Sequence, residues 1–183
     1  DLPIAKKAGL LDGYRIELVK ADHQGKPDVA KSEAERLYGQ ESVFAVIGSY
    51  NSSASKPASA VAERLQKIFM CAASSSAALT ERDFKYFFRL APTDRIEAKE
   101  FVAWFDELNK SKKAGIKTVA VIYENSEFGT HAAEEAKSFS TKSGYKVVAD
   151  IPFTVGATNL NSALQRLKAA NPDALFGAVL GAA

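Results

Sequence analysis

The sequence predicts an α/β chain of doubly wound parallel sheets, and three observations carry that expectation. Continuous apolar runs, VFAVIG at 43–48, IFMCAA at 68–73 and TVAVIY at 118–123, suit strands buried on both faces. The stretches between them repeat apolar residues at helical spacing, and strands joined through helices pair in parallel with right-handed crossovers. The same order of strand, polar loop and helix then recurs in the second half of the chain.

Taken in order, residues 2–11 read as the end of a helix closed by Gly9 or by Asp12-Gly13, and Tyr14, Ile16 and Leu18 then alternate as in a strand. Pro27 stands at a first helical position, and Ala30, Ala34, Leu37 and Tyr38 form the apolar face of a helix that Gly39 ends. A strand at 43–47 runs into a Ser-rich loop at 49–53. The next helix is faced by Ala54, Ala58, Val61 and Leu65, with Pro57 early enough to be tolerated. A strand over 68–73 enters a second Ser-rich loop at 74–76, and 86–90 is another strand.

Ala91-Pro92-Thr93 breaks the pattern and divides the chain into units 1–91 and 92–183. Asp94 and Glu97 have capping-box spacing ahead of a helix faced by Ala98, Phe101, Val102, Phe105 and Leu108. The second unit continues with a strand at 117–123, a helix faced by Phe128, Ala132, Ala136 and Phe139, and a strand at 145–151. Leu160, Ala163, Leu164 and Leu167 face a further helix, Asn171-Pro172 stops it, and 174–179 is a strand.

The two Ser-rich loops follow parallel strands, so both sit at the carboxyl end of one sheet, where ligands bind in open α/β folds. Ser49, Asn51, Ser52 and Ser53 occupy one loop and Ser74, Ser75 and Ser76 the other. Such residues are also ordinary helix caps, but capping uses one hydroxyl per helix and these loops hold several. Free backbone N–H groups near a helix start, joined by small hydroxyls, hold an anion without metal or cofactor. A carboxylate is the ligand they suit.

Other chemistry finds little support in the residues. The 183-residue chain is 46% hydrophobic and 25% charged with a net charge of +2, and its interspersed signs form no basic stripe for nucleic acid. The one cysteine, Cys71, lies in an apolar run. The two histidines, His23 and His131, have no acid or thiol at metal-ligand spacing, and neither a G-x-G-x-x-G nor a P-loop is present, so no metal or cofactor is called for. Ser53-Ala54-Ser55-Lys56 matches the S-x-x-K of serine hydrolases without its companion motifs. Glu124, Asn125 and Glu127 end a strand, where an acid catalyst or a polar strand-to-helix loop both fit. No stretch reaches the roughly 18–20 apolar residues of a membrane span, and the first residues lack an apolar signal core. An export signal is expected to be absent from this chain.

The segments VFAVIGSYNSSASKPASAVAE, ASSSAALTERDFKYFFRLAPTD, TVAVIYENSEFGTHAAE and FTVGATNLNSALQRLKAANPDALF together resemble the type I periplasmic solute-binding proteins of branched-chain amino acid ABC transporters. The resemblance implies two α/β lobes, 1–91 and 92–183, that close on a ligand, and an internal piece lacking the first strand and the C-terminal half. It implies binding of a small carboxylate-bearing solute, an amino acid or an aromatic or aliphatic acid, outside the cytoplasm, for a membrane permease. A ligand-sensing receptor ectodomain of the same fold is the alternative, with a hydrolase using Ser53 and Lys56 behind it. By resemblance Ser52 holds the ligand carboxylate with hydroxyl and amide, Ala73 and Ser75 take its polar head, and Phe128 packs on it from the second lobe. Asn51 and Ser74 stand beside them. Leu180 falls near a second aromatic position, and the acid that grips an α-ammonium group lies beyond Ala183. Within the chain, Glu124 and Glu127 are the acids placed to substitute for it.

Overall fold

The computed structural model describes residues 7–9 and 12–180, and most of the helix expected over 2–11 lies outside the described residues. The first helix among the named elements, α1, spans Pro27–Gly39 and buries the expected Ala30, Ala34, Leu37 and Tyr38. β1 follows (Ala45–Ile47), then α2 (Ser52–Arg64), β2 (Ile68–Cys71), a short 3₁₀ turn (Ala77–Leu79) and β3 (Phe87–Arg89). The second series is α3 (Asp94–Lys112), β4 (Thr118–Glu124), α4 (Glu127–Lys142), β5 (Lys146–Phe153), α5 (Asn161–Ala170) and β6 (Ala174–Ala178). Asn171 closes α5 in the left-handed conformation at φ 42°, which asparagine tolerates better than most side chains.

The strands make two separate parallel sheets, ordered β1-β2-β3 and β5-β4-β6. In the first, Val46, Phe69 and Phe87 share one row of the register and Ile47, Met70 and Phe88 the next. Successive residues point to opposite faces. The Phe69 face packs beneath α1 and α2 through Ala34, Tyr38, Ala58 and Val61. The other face does not meet the expectation of burial on both sides, since Ile47 is 75% and Phe88 47% exposed. Burial of a second face needs a helix there, and among the described residues none covers these side chains.

The second sheet is enclosed as expected. Val102 and Phe105 of α3 and Ala132 and Ala133 of α4 pack on Val119, Val121 and Tyr123, while Ala163 of α5 meets Ile122 and Ile151 on the opposite face. Central β4 is buried from Val119 to Glu124 because it has a strand on each side and helices above and below.

The strand expected from Tyr14, Ile16 and Leu18 does not form. These residues are 80%, 50% and 77% exposed and pair with no strand among the described residues, and an alternating pattern without a ladder partner stays irregular. Leu65, expected on the α2 face, instead caps that helix and is 40% exposed.

Two buried tyrosines give a pH test of the packing. Burial pushes Tyr38 up to about 12, and burial together with hydrogen bonding to Asp106 pushes Tyr145 up to about 12. A phenol raised above its unfolded value of 10 contributes stability that is complete below that pH and is lost as pH rises through about 12. Burial raises Tyr123 as well, so ultraviolet difference titration should show at least Tyr38 and Tyr145 of the six tyrosines ionising late, together with alkaline unfolding in the same window. All six titrating together in the folded protein would contradict this packing.

Candidate functional site

The two Ser-rich loops meet at the carboxyl ends of β1 and β2, and a serine network fixes their spacing. Ser74 Oγ lies 2.9 Å from Ser49 O, 3.1 Å from Tyr50 O and 2.8 Å from Ser55 Oγ. Ser59 Oγ donates to Ser55 O at 2.6 Å. Ser74 is therefore turned into the protein, 1% exposed, and staples one loop to the other. On β3, Arg89 Nη1 donates to Ser76 O at 2.6 Å and to Ser74 O at 3.3 Å, bracing the second loop from below.

Ser52 was expected in the loop and is instead the first residue of α2. Asn51 precedes it as the N-cap residue, but its side chain makes no capping bond. The Ser52 hydroxyl accepts from Ser76 N at 3.2 Å. With that lone pair used, its single proton is free to donate elsewhere, and the first amides of α2 have no intrahelical acceptor. A helix N-terminus with a donor hydroxyl favours negative charge.

The segment joining the two sheets is anchored to the same loop. Asp94, 1% exposed, accepts from Ala77 N at 3.0 Å, its own N–H donates to Ser75 O at 2.9 Å, and both its oxygens lie 3.0 Å from His131 Nδ1 on α4. Burial pushes the Asp94 carboxyl up, opposed by His131 and the Ala77 amide. The capping box read at Asp94 and Glu97 is not made. Thr93 is the N-cap of α3, its side chain accepting from Ile96 N at 3.4 Å. Moving the cap back one residue places Glu97 at the fourth helical position, about 100° round the helix from where a capping box needs it.

From the other sheet, the start of α4 reaches across to α2. Glu127 N donates to Ser53 Oγ at 3.2 Å and Glu127 Oε2 pairs with Lys56 Nζ at 2.8 Å. Both polar members of the S-x-x-K motif are thus engaged with Glu127. Glu124, 4% exposed, accepts from Ser126 Oγ at 2.6 Å and from Leu180 N at 3.1 Å, tying the end of β4 to the chain beyond β6.

These contacts enclose a cleft of about 210 Å³ lined by Tyr50, Ser52, Ala73, Ser75, Glu97, Phe128 and Leu180. Four of the six residues expected at the site, Ser52, Ala73, Ser75 and Phe128, share its wall; Asn51 and Ser74 do not. Tyr50 and Glu97 are additions. Tyr50 sits in the first loop, where its 64% exposure is that of a rim residue. Glu97 escaped notice because the capping reading gave it another task. Partial desolvation, and then the Asp94 charge, push its carboxyl up. A larger groove of about 550 Å³ runs between α1 and α2, but its wall is helix flank and its Arg64 and Glu35 already pair with each other at 3.0 Å.

Comparison with known proteins bears on the family and the fold. A family model described as periplasmic binding protein matches residues 4–183. An amino acid binding protein of Pseudomonas aeruginosa is 29% identical over 169 residues, covering 92% of this chain and 44% of its own length. A solute-binding protein of an ABC transporter from Rhodopseudomonas palustris BisB5, solved with 3,4-dihydroxybenzoic acid, is 27% identical with a TM-score of 0.80, over 96% of this chain and 47% of its own. A periplasmic binding protein from Burkholderia mallei, 24% identical, shares the fold with a TM-score of 0.85 over 98% of this chain and 47% of its own. The chain thus spans somewhat less than half the length of these relatives.

Proposed function

The chain belongs to the periplasmic binding protein family, and from that premise we propose that it binds a small carboxylate-bearing solute, unchanged, in the cleft between its two sheets. The lobes are residues 1–91 and 92–183, the ligand is delivered to the permease of an ABC transporter, and the protein works outside the cytoplasm. One observation carries the reading. The Ser52 hydroxyl, its acceptor side satisfied by Ser76 N, stands at the open N-terminus of α2 in the wall of a cleft that Phe128 and Leu180 make apolar.

The proposed roles follow from the groups available. Ser52 supplies hydroxyl and amide to the carboxylate, Ala73 and Ser75 supply backbone and hydroxyl to the polar head, and Phe128 packs on the apolar body. Micromolar binding requires about 8 kcal/mol. Two or three charge-assisted hydrogen bonds at roughly 1.5–3 kcal/mol each, with a buried apolar side chain at about 2, reach that figure without covalent chemistry. The ion pair of Lys56 with Glu127 speaks against its service as a base for Ser53.

Relatives support both an amino acid and an aromatic acid as the solute class. Calorimetric titration of the full-length protein against both classes, with analysis of the recovered solute, tests the proposal. Micromolar binding with the solute intact is the expected result; chemical conversion, or no binding to any carboxylate, overturns it.

A further inference from the structure

We infer that Glu97 selects the ligand's head group, so that the cleft takes a zwitterion bearing an ammonium beside its carboxylate in preference to a plain organic acid. The inference rests on the reading of the cleft as a carboxylate site and goes beyond it by naming the discriminating residue. Among the described residues, seven line the cleft wall; of these Glu97 is the one charged at neutral pH, and no Lys, Arg or His is among them. Among the described residues it joins none of the ion pairs.

The charged groups around it are already committed. Asp94, one turn back on α3, is held by His131 and the Ala77 amide. Arg95 pairs with Glu81 and with Glu135, each at 2.7 Å, and His131 Nε2 stands 3.9 Å from Glu135. On α2, Lys56 is taken by Glu127. The two acids expected from sequence to pair an ammonium are used elsewhere, Glu127 on Lys56 and Glu124 on Ser126 and the Leu180 amide.

A ligand that brings a carboxylate alone therefore adds a second negative charge to a wall that already carries one, and like charges in a partly desolvated site repel. A ligand that also brings an ammonium supplies the missing partner. Discrimination then comes from an unfavourable element against the wrong ligand as well as a favourable one for the right ligand. Partial desolvation pushes the Glu97 carboxyl up and the neighbouring Asp94 charge adds to it, although its side chain stays exposed at the cleft edge.

The test is competitive titration of the full-length protein with leucine and phenylalanine and their 2-keto acids, on the unmodified protein and on Glu97→Gln and Ser52→Ala. The unmodified protein is expected to prefer at least one amino acid over its keto acid by tenfold or more, equivalent to about 1.4 kcal/mol. Glu97→Gln should reduce that preference to about threefold or less by weakening the amino acid and not the keto acid. Ser52→Ala should weaken both members of a pair alike. Equal affinity within each pair, or a preference that survives Glu97→Gln, overturns the inference while leaving the carboxylate reading intact. Failure of all four compounds to bind a folded protein that binds another carboxylate overturns the inference alone; failure of every carboxylate overturns both. Exposed Glu97 makes few packing contacts to lose, so the glutamine variant is expected to fold.

Discussion

Gly129→Ala is expected to destabilise the protein by about 3 kcal/mol, reversing the sign that helix propensity gives. In an unconstrained helix the same change stabilises by about 0.8–1.0 kcal/mol, because alanine loses less conformational entropy. Here a Cβ on Gly129 would collide with Glu124 O and lie 2.9 Å from Glu124 Cγ. The nearer atom is backbone at the end of buried β4 and cannot rotate away. Relief requires the first turn of α4 to move off the sheet, breaking the bond from Gly129 N to Ser126 Oγ, now 3.0 Å, and carrying Phe128 out of the cleft wall. Urea denaturation should show a lower midpoint with an unchanged slope, and solute affinity should fall with it. Gly177→Ala is the control, because nothing lies within 4 Å of a Cβ there. A Gly129→Ala protein as stable as the parent would mean that α4 does not approach β4 as described.

Ser52→Ala carries the second large effect, on binding. Loss of a hydroxyl that donates to a ligand carboxylate should weaken affinity by about 1–3 kcal/mol, roughly 5- to 150-fold. The structure adds a cost, since Ser76 N loses its acceptor at 3.2 Å in a buried setting, and an orphaned buried donor costs about 1–3 kcal/mol. Both midpoint and affinity should therefore fall. Asn51→Ala separates this from helix capping: Asn51 is the N-cap residue without a side-chain capping bond, so its loss should leave stability and affinity nearly unchanged. An unchanged affinity in Ser52→Ala, whatever the midpoint does, would remove Ser52 from the site.

Local pattern determined the helices and most of the strands of this protein. Pro27, the spacing of Ala30, Ala34, Leu37 and Tyr38, and the apolar run at 118–123 each specify their element through a few consecutive residues, because backbone propensity and facial periodicity are short-range properties. The Ser-rich loops were legible for the same reason. They follow strands, and parallel pairing places strand ends together. Ser52, Ala73, Ser75 and Phe128 required the family resemblance as well, since no spacing rule connects residues from different loops and sheets.

Only the tertiary structure decided which polar groups face the cleft and which are consumed by the fold. Ser74 and Ser75 are adjacent, yet one staples two loops and the other lines the cleft. Glu124 and Glu127 looked free and are bonded to Ser126, Leu180 and Lys56, whereas Glu97 looked like a cap and faces the cleft. Tyr14, Ile16 and Leu18 kept a strand pattern without a strand, because a ladder needs a neighbour that local sequence does not specify. The physical reason is common to all of these. A hydrogen bond or ion pair is settled by whichever partner the packed backbone brings within about 3 Å, and that partner commonly comes from another element, as Lys56 does for Glu127.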